Sequence, residues 1–168
     1  MPARNVLKNL NLFVDGRGHA GQIDEYSPPD LTLTTEDYRG GGMDAPVPIE
    51  MGMEPLETSF ALIAYDPDVL TAWGVKQGAS VPLTIRGALE SFDGTVTPVI
   101  HRMRGMVTSL GRGTWAAAQK PTLTVTMRPV YYQETHNGVL IHEIDIDNMV
   151  RVINGEDRLA STRAALGI

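Results

Sequence analysis

Apolar and polar residues alternate with a period of two along most of this chain, the spacing that sends successive side chains to opposite faces of a β-strand. The most regular run sets Thr122, Thr124 and Thr126 against Leu123, Val125 and Met127. Val81, Leu83, Ile85 and Leu89 alternate with Thr84, Arg86 and Glu90 before Asp93-Gly94, a hairpin signal. The return strand, about Val96 to Leu110, puts Val99, His101, Met103, Gly105 and Val107 on one side and Ile100, Arg102, Arg104 and Met106 on the other. Neither side is purely apolar, as expected of a strand whose outer face meets another subunit or a wet channel. Asn137-Gly138, the strongest short hairpin turn, precedes a strand with Leu140, His142, Ile144 and Ile146 opposite Ile141, Glu143, Asp145 and Asp147. A shorter strand is predicted at Asn11–Asp15, ending in the glycine-rich Gly16–Gly21.

Helical spacing shows in two places. Asp66 is placed to cap a short helix, Pro67 to occupy its first turn and Gly74 to end it, with Val69, Leu70 and Trp73 on one face. Trp73 is expected to anchor the core. Near the end, Leu159, Thr162 and Leu166 mark one face of a terminal helix counted from Glu156 and closed by Gly167.

The segment Leu31–Phe60 departs from plain alternation. Leu31 and Leu33 alternate with Thr32 and Thr34, predicting a strand with one face against apolar material. Gly40-Gly41-Gly42 then interrupts it, and Pro46 and Pro48 lack the N–H that the middle of a sheet requires. Alternation resumes at Ile49, Met51 and Met53, and again at Phe60, Leu62 and Ala64. The prediction is two strands joined by a long loop carrying Tyr38, Arg39, Met43 and Asp44. A loop of this length in a compact domain usually touches something, and apolar Met43, Ala45 and Val47 at its tip favour contact with another surface.

A chain of 168 residues fits a single domain, 1–168, large enough to bury a core without a disulfide or metal. There is no cysteine, so neither a disulfide framework nor thiolate chemistry is available. The N-terminal stretch MPARNVLKNLNLFVDG lacks the apolar core of a signal peptide, and no apolar run is long enough for a membrane-spanning helix; a soluble protein without membrane insertion is expected. Lys and Arg number 14 against 20 Asp and Glu, a net charge of −6, and the basic residues are scattered, which argues against gripping nucleic acid.

Candidate chemistry is sparse. Gly16–Gly21 spells G-x-G-x-x-G after a strand, but the following QIDEYSPPDL cannot open the helix a dinucleotide needs, so a hairpin turn is expected. His136 and His142 straddle the Asn137-Gly138 turn, yet two ligands without a third are poor support for zinc. Glu143, Asp145 and Asp147 share one strand face with similar surroundings, unlike the split environments of catalytic carboxylate pairs. With no nucleophile elbow and no phosphate loop, neither enzyme activity, cofactor nor metal is expected.

Three blocks, in order, carry a family likeness: NLFVDG at Asn11–Gly16, YRGGGMDAPVPIEMGME from Tyr38, and EIDIDNMVRVINGEDRLASTRAALGI to the end. They resemble the major tail tube proteins of contractile-tailed bacteriophages and R-type pyocins, while Gly87–Val96 and Ser109–Lys120 match only loosely. The resemblance implies a mainly β sandwich or barrel with a short packed helix and a C-terminal helix. It further implies six subunits per ring and rings stacked into the inner tube of a contractile tail, a structural virion protein assembled in the host cytoplasm. Its implied partners are other copies of itself, the tail sheath protein, and the baseplate and tail terminator proteins, with DNA passing through the lumen unbound. It assigns Tyr38, Arg39, Gly40, Gly41, Gly42, Met43, Asp44, Ala45 and Pro46 to the loop that crosses to the next ring. Strand edges paired around a ring, and a head-to-tail contact between rings, are physically consistent with this. An acidic lumen would repel phosphates, and Met43→Asp is expected to block stacking by burying an unpaired charge. The nearest alternative is the tube of a DNA-free injection system, R-type pyocin or type VI secretion-like; a dinucleotide-binding enzyme built on Gly16–Gly21 is more distant.

Overall fold

The computed structural model describes residues 4–168; Met1–Ala3, at the head of the stretch read for a signal peptide, lie outside them. In chain order its elements are β1 (Val6–Val14), β2 (Arg17–Gly18), β3 (Ile23–Ser27), β4 (Leu33–Tyr38), β5 (Val47–Met53), β6 (Thr58–Leu62), α1 (Pro67–Thr71) and β7 (Val81–Glu90). They continue with β8 (Val96–Gly111), β9 (Leu123–His136), β10 (Val139–Asp145), β11 (Val150–Ile153), β12 (Glu156–Asp157) and α2 (Ala160–Leu166). The protein is mainly β, with one short packed helix and one terminal helix, as expected.

Local chemistry sets the connections. Asp15-Gly16, Asn137-Gly138 and Asn154-Gly155 each place two consecutive residues at φ between 48° and 80°. That is the left-handed pair of a two-residue hairpin turn, affordable to Asn, Asp and Gly and to few others. The Gly16–Gly21 stretch therefore turns β1 into β2 and then enters β3, so no helix opens there to meet a phosphate.

Antiparallel pairing runs in the order β12-β11-β10-β9-β8-β7-β1-β2, with β6 added to β9 and β3 to β6. One edge of β9 pairs with β8 over most of its length. Its other edge is shared: β6 takes Leu123–Met127 and β10 takes Tyr131–His136. The changeover falls at Pro129, which has no N–H to offer either neighbour. There β9 bulges, with Val130 left over between the pairs Arg104–Tyr131 and Gly105–Pro129, and a Cβ added at Gly105 of β8 would stand 2.2 Å from the Arg128 carbonyl oxygen and 2.6 Å from Pro129 Cα. The bend folds β6 and β3 back over β7 and β8, and Tyr26 of β3 reaches His101 of β8, making a flattened barrel.

Alternation fills its interior. Leu12, Phe60, Leu62, Leu83, Leu123 and Met127 are all buried, and Val69 of α1 joins them from outside the sheet. Asp66 caps α1 by accepting the Asp68 N–H at 2.9 Å, with Pro67 in the first turn.

Four expectations are corrected. Trp73 is 55% exposed: its ring lies on the outside of β8 and its indole N–H donates to the Thr108 carbonyl, an acceptor found at the surface and not in the core. Asp147 does not extend the acidic row, because the Asp145 carboxylate accepts the Asn148 N–H and ends β10 in a turn. The terminal helix begins at Ala160, since Glu156 and Asp157 pair with β11; none of its residues is buried, and Leu166 is open. Finally, β4 has no apolar cover: every one of its residues is exposed.

Candidate functional site

The uncovered strand belongs to a separate ribbon. Among the described residues β4 and β5 pair only with each other, Tyr38 opposite Val47, Asp37 opposite Pro48, Glu36 opposite Ile49 and Thr35 opposite Glu50. In such a ribbon both strands are edges, which is why Pro48 is tolerated inside β5. Residues directly opposite share a face. One face therefore carries Tyr38, Val47, Ile49 and Met51, each between 44% and 56% exposed, with one acidic side chain, the exposed Glu36, opposite Ile49. The other carries Asp37, Thr35 and Glu50, and the Glu50 carboxylate accepts from the Arg151 guanidinium on β11. The register slips between Leu33 and Thr35, with Gly52 at φ 106°, so Met53 turns to the second face and packs against the core. The ribbon is thus moored by its polar face and base, and its apolar face is bare.

All nine residues expected at the crossing loop gather at the ribbon's tip. Tyr38 ends β4; Arg39, Gly41, Gly42, Asp44, Ala45 and Pro46 are exposed, while Gly40 and Met43 are half-buried against each other. The loop folds on itself: the Met43 N–H donates to the Gly40 carbonyl at 3.2 Å, the Gly40 N–H to Met43 Sδ at 3.2 Å, and Arg39 Nε to the Met43 carbonyl at 3.2 Å. Met43 is therefore partly sheltered by its own loop. The larger open apolar surface lies further down, at Ile49 and Met51, which the alternation had marked only as strand residues.

A second constellation sits at the barrel end. Across the ladder His101 and His142 both stand opposite Glu134, and His136 is two residues on from Glu134 along β9. Register and the period of two bring all four to one face. His136 Nε2 lies 2.8 Å from Glu134 Oε1, His142 Nδ1 3.0 Å from Oε2, and His101 Nε2 3.7 Å from Oε1. Tyr132 donates its hydroxyl to Glu134 Oε2 at 3.2 Å, and the Tyr26 hydroxyl meets His101 Nδ1 at 2.9 Å. The two-ligand premise for His136 and His142 is thereby overturned, since a carboxylate and a third imidazole stand beside them. Sequence order gave no sign of this, because the four residues meet only through strand register.

Burial works against ionising Glu134, but hydrogen bonds from His142 and His136 outweigh it and hold its carboxyl below the usual range. Burial likewise lowers His101, against the pull of the Glu134 charge, so its imidazole is neutral near pH 7. Burial raises Tyr26 and Tyr132 well above an ordinary phenol, keeping both hydroxyls protonated. The cluster forms one wall of a cleft of about 240 Å³ whose other walls include Leu10, Ile85 and Val99.

Comparison with known proteins gives a consistent result. The sequence profile of the family described as phage tail tube protein FII matches residues 4–167. The tail tube protein of Escherichia phage P2 is 28% identical over 166 residues, covering 96% of this chain and 96% of its own. The major tail tube protein of Serratia phage KSP20 is 27% identical over 169 residues, covering 96% and 95%. Among solved structures, a chain of the extended-state PVC sheath–tube complex, an extracellular contractile injection system, aligns with a TM-score of 0.57 at 14% identity, over 75% of this chain and 87% of that one. A chain of the anti-feeding prophage tube-terminating cap gives 0.56 at 14% identity, over 75% and 87%. At such identity these two likenesses are of fold.

Proposed function

This chain belongs to the phage tail tube protein FII family, the tail tube proteins of contractile phages and related injection systems, and on that premise we propose that it forms a single-domain subunit of stacked hexameric rings, joined ring to ring by its β4–β5 ribbon. The observation that carries the proposal is the bare apolar face. Tyr38, Val47, Ile49 and Met51 are open to water on a ribbon that, among the described residues, pairs with no other strand. Exposed apolar patches of this kind mark interfaces. The loop Tyr38–Pro46 at its tip extends the same surface, with Met43 opening from Gly40 as it docks.

In this reading the protein works mechanically. The rings form a rigid conduit inside a sheath, start from a baseplate, end at a terminator, and pass DNA through a lumen whose negative charge keeps phosphates from adhering. The protein is assembled in the host cytoplasm and resides in the virion. Solved neighbours from sheath–tube, cap and baseplate complexes support these partners. They also favour a second reading, a tube in a DNA-free injection particle, which the presence or absence of DNA in purified particles separates.

Electron microscopy of the purified protein tests the assembly. Wild-type protein is expected to give rings or tubes. Ile49→Asp and Met51→Asp should leave the circular dichroism spectrum unchanged and abolish tubes, because each would bury an unpaired carboxylate at the contact. Tubes of normal length from both variants would overturn the ribbon's role.

A further inference from the structure

The tube reading leaves the His–Glu constellation at the barrel end without a role. We propose that His101, Glu134 and His136 form a binding site for a zinc-class divalent transition metal, with Tyr26 and His142 holding the ligands in place. Imidazole with carboxylate is a donor set for zinc and its neighbours, and not for calcium or magnesium, which take oxygen ligands. The donor atoms, His101 Nε2, Glu134 Oε1 and His136 Nε2, all lie within 4.8 Å of one another, and the two histidine–carboxylate separations are 2.8 and 3.7 Å. Two ligands of a tetrahedral zinc with bonds of roughly 2.0–2.1 Å stand about 3.3 Å apart, midway in that range. The 3.7 Å gap itself is too long for a hydrogen bond, so His101 Nε2 faces a carboxylate that it does not bond.

The surroundings are those of a supported site. Tyr26 occupies His101 Nδ1, which leaves Nε2 as the nitrogen turned to the carboxylate. His142 occupies the other Glu134 oxygen, Oε2, together with the Tyr132 hydroxyl. Hydrogen bonds of this kind, made to the ligands and not to the ion, orient them and are worth tenfold to a hundredfold in affinity. The His136 side chain is 39% exposed, so an ion has a way in. Once bound, it ties β8 directly to β9 and, through Tyr26, β3 to both. The site lies within one chain, so its test is independent of tube formation.

Full-length protein without an affinity tag, stripped by chelator and redialysed, is titrated with Zn²⁺ by calorimetry and with Co²⁺ by visible absorption. The expected result is one ion per chain, d–d bands of a four-coordinate Co²⁺ complex, and a rise in melting temperature with Zn²⁺. His136→Gln and Glu134→Gln, at partly exposed positions, should each weaken binding by more than a hundredfold while the apo spectra stay unchanged. Tyr26→Phe, which removes only the hydroxyl, should weaken it by about tenfold to a hundredfold. Absence of stoichiometric binding by the wild type, or equal binding by His136→Gln and Glu134→Gln, would overturn the proposal.

Discussion

Single positions decide where the sheet bends. Gly105 faces the Arg128 carbonyl and Pro129 Cα at separations no Cβ tolerates, and both obstacles are backbone, so neither can rotate away. Gly105→Ala is therefore expected to destabilise the protein by about 3 kcal/mol, the upper part of the range for overpacking, as read from urea unfolding. Other residues show what sequence does and does not reveal. Leu123, Val125 and Met127 were legible because a period of two needs no knowledge of partners, and all three are buried. Trp73 was not, since a large apolar ring reads as core, whereas its N–H needed an acceptor that the surface carbonyl of Thr108 provides. Glu134 was illegible for a different reason. Its role depends on which residues of β8 and β10 stand opposite it, and pairing register is not written in any one strand.

At the level of elements, hairpins joined by Asn-Gly or Asp-Gly were the most legible, because those dipeptides leave the backbone little choice. The ribbon was half legible: glycines and prolines marked the break from Tyr38 to Pro46, but alternation says only that a strand has two unlike faces. It cannot say whether the apolar face is covered by the same chain. The terminal helix shows how weakly an element can be held. α2 buries nothing; Arg163 fastens it by donating to the Asp157 carboxylate at 2.6 Å and to the Met149 carbonyl at 2.9 Å. The bond from Arg163, with further help from the Leu159 N–H, holds the Asp157 carboxyl below its usual 3.8. A depressed carboxyl stabilises fully above its unfolded value and loses that contribution as pH falls through the lower folded one. Wild type should accordingly exceed Asp157→Asn in unfolding free energy at pH 6, and the two curves should converge as pH drops below 3.8; parallel curves down to pH 2 would discount the anchor.

The molecule as a whole divides into a closed body and an open arm. Two of the three ends of the body's sheet, β2 and β12, are two residues each, too short to template pairing with a stranger, and the third is the five-residue β3 beside β6. Its longest strands, β8 and β9, lie side by side at the centre, and β9 is gripped along both edges by β6, β8 and β10. A strand so enclosed has no end from which to fray. The amide hydrogens of its stretches Leu123–Met127 and Tyr131–Tyr132 should exchange with deuterium only when the entire chain unfolds, whereas those of β4 and of β5 from Val47 to Gly52, all of whose residues are exposed, should exchange through a local opening at far lower free energy. One sequence would then have two clocks, a slow one for the body and a fast one for the arm. Docking the arm onto a neighbour would bring the fast clock close to the slow one, so deuterium uptake at Val47–Met53 would report assembly before any particle is large enough to see.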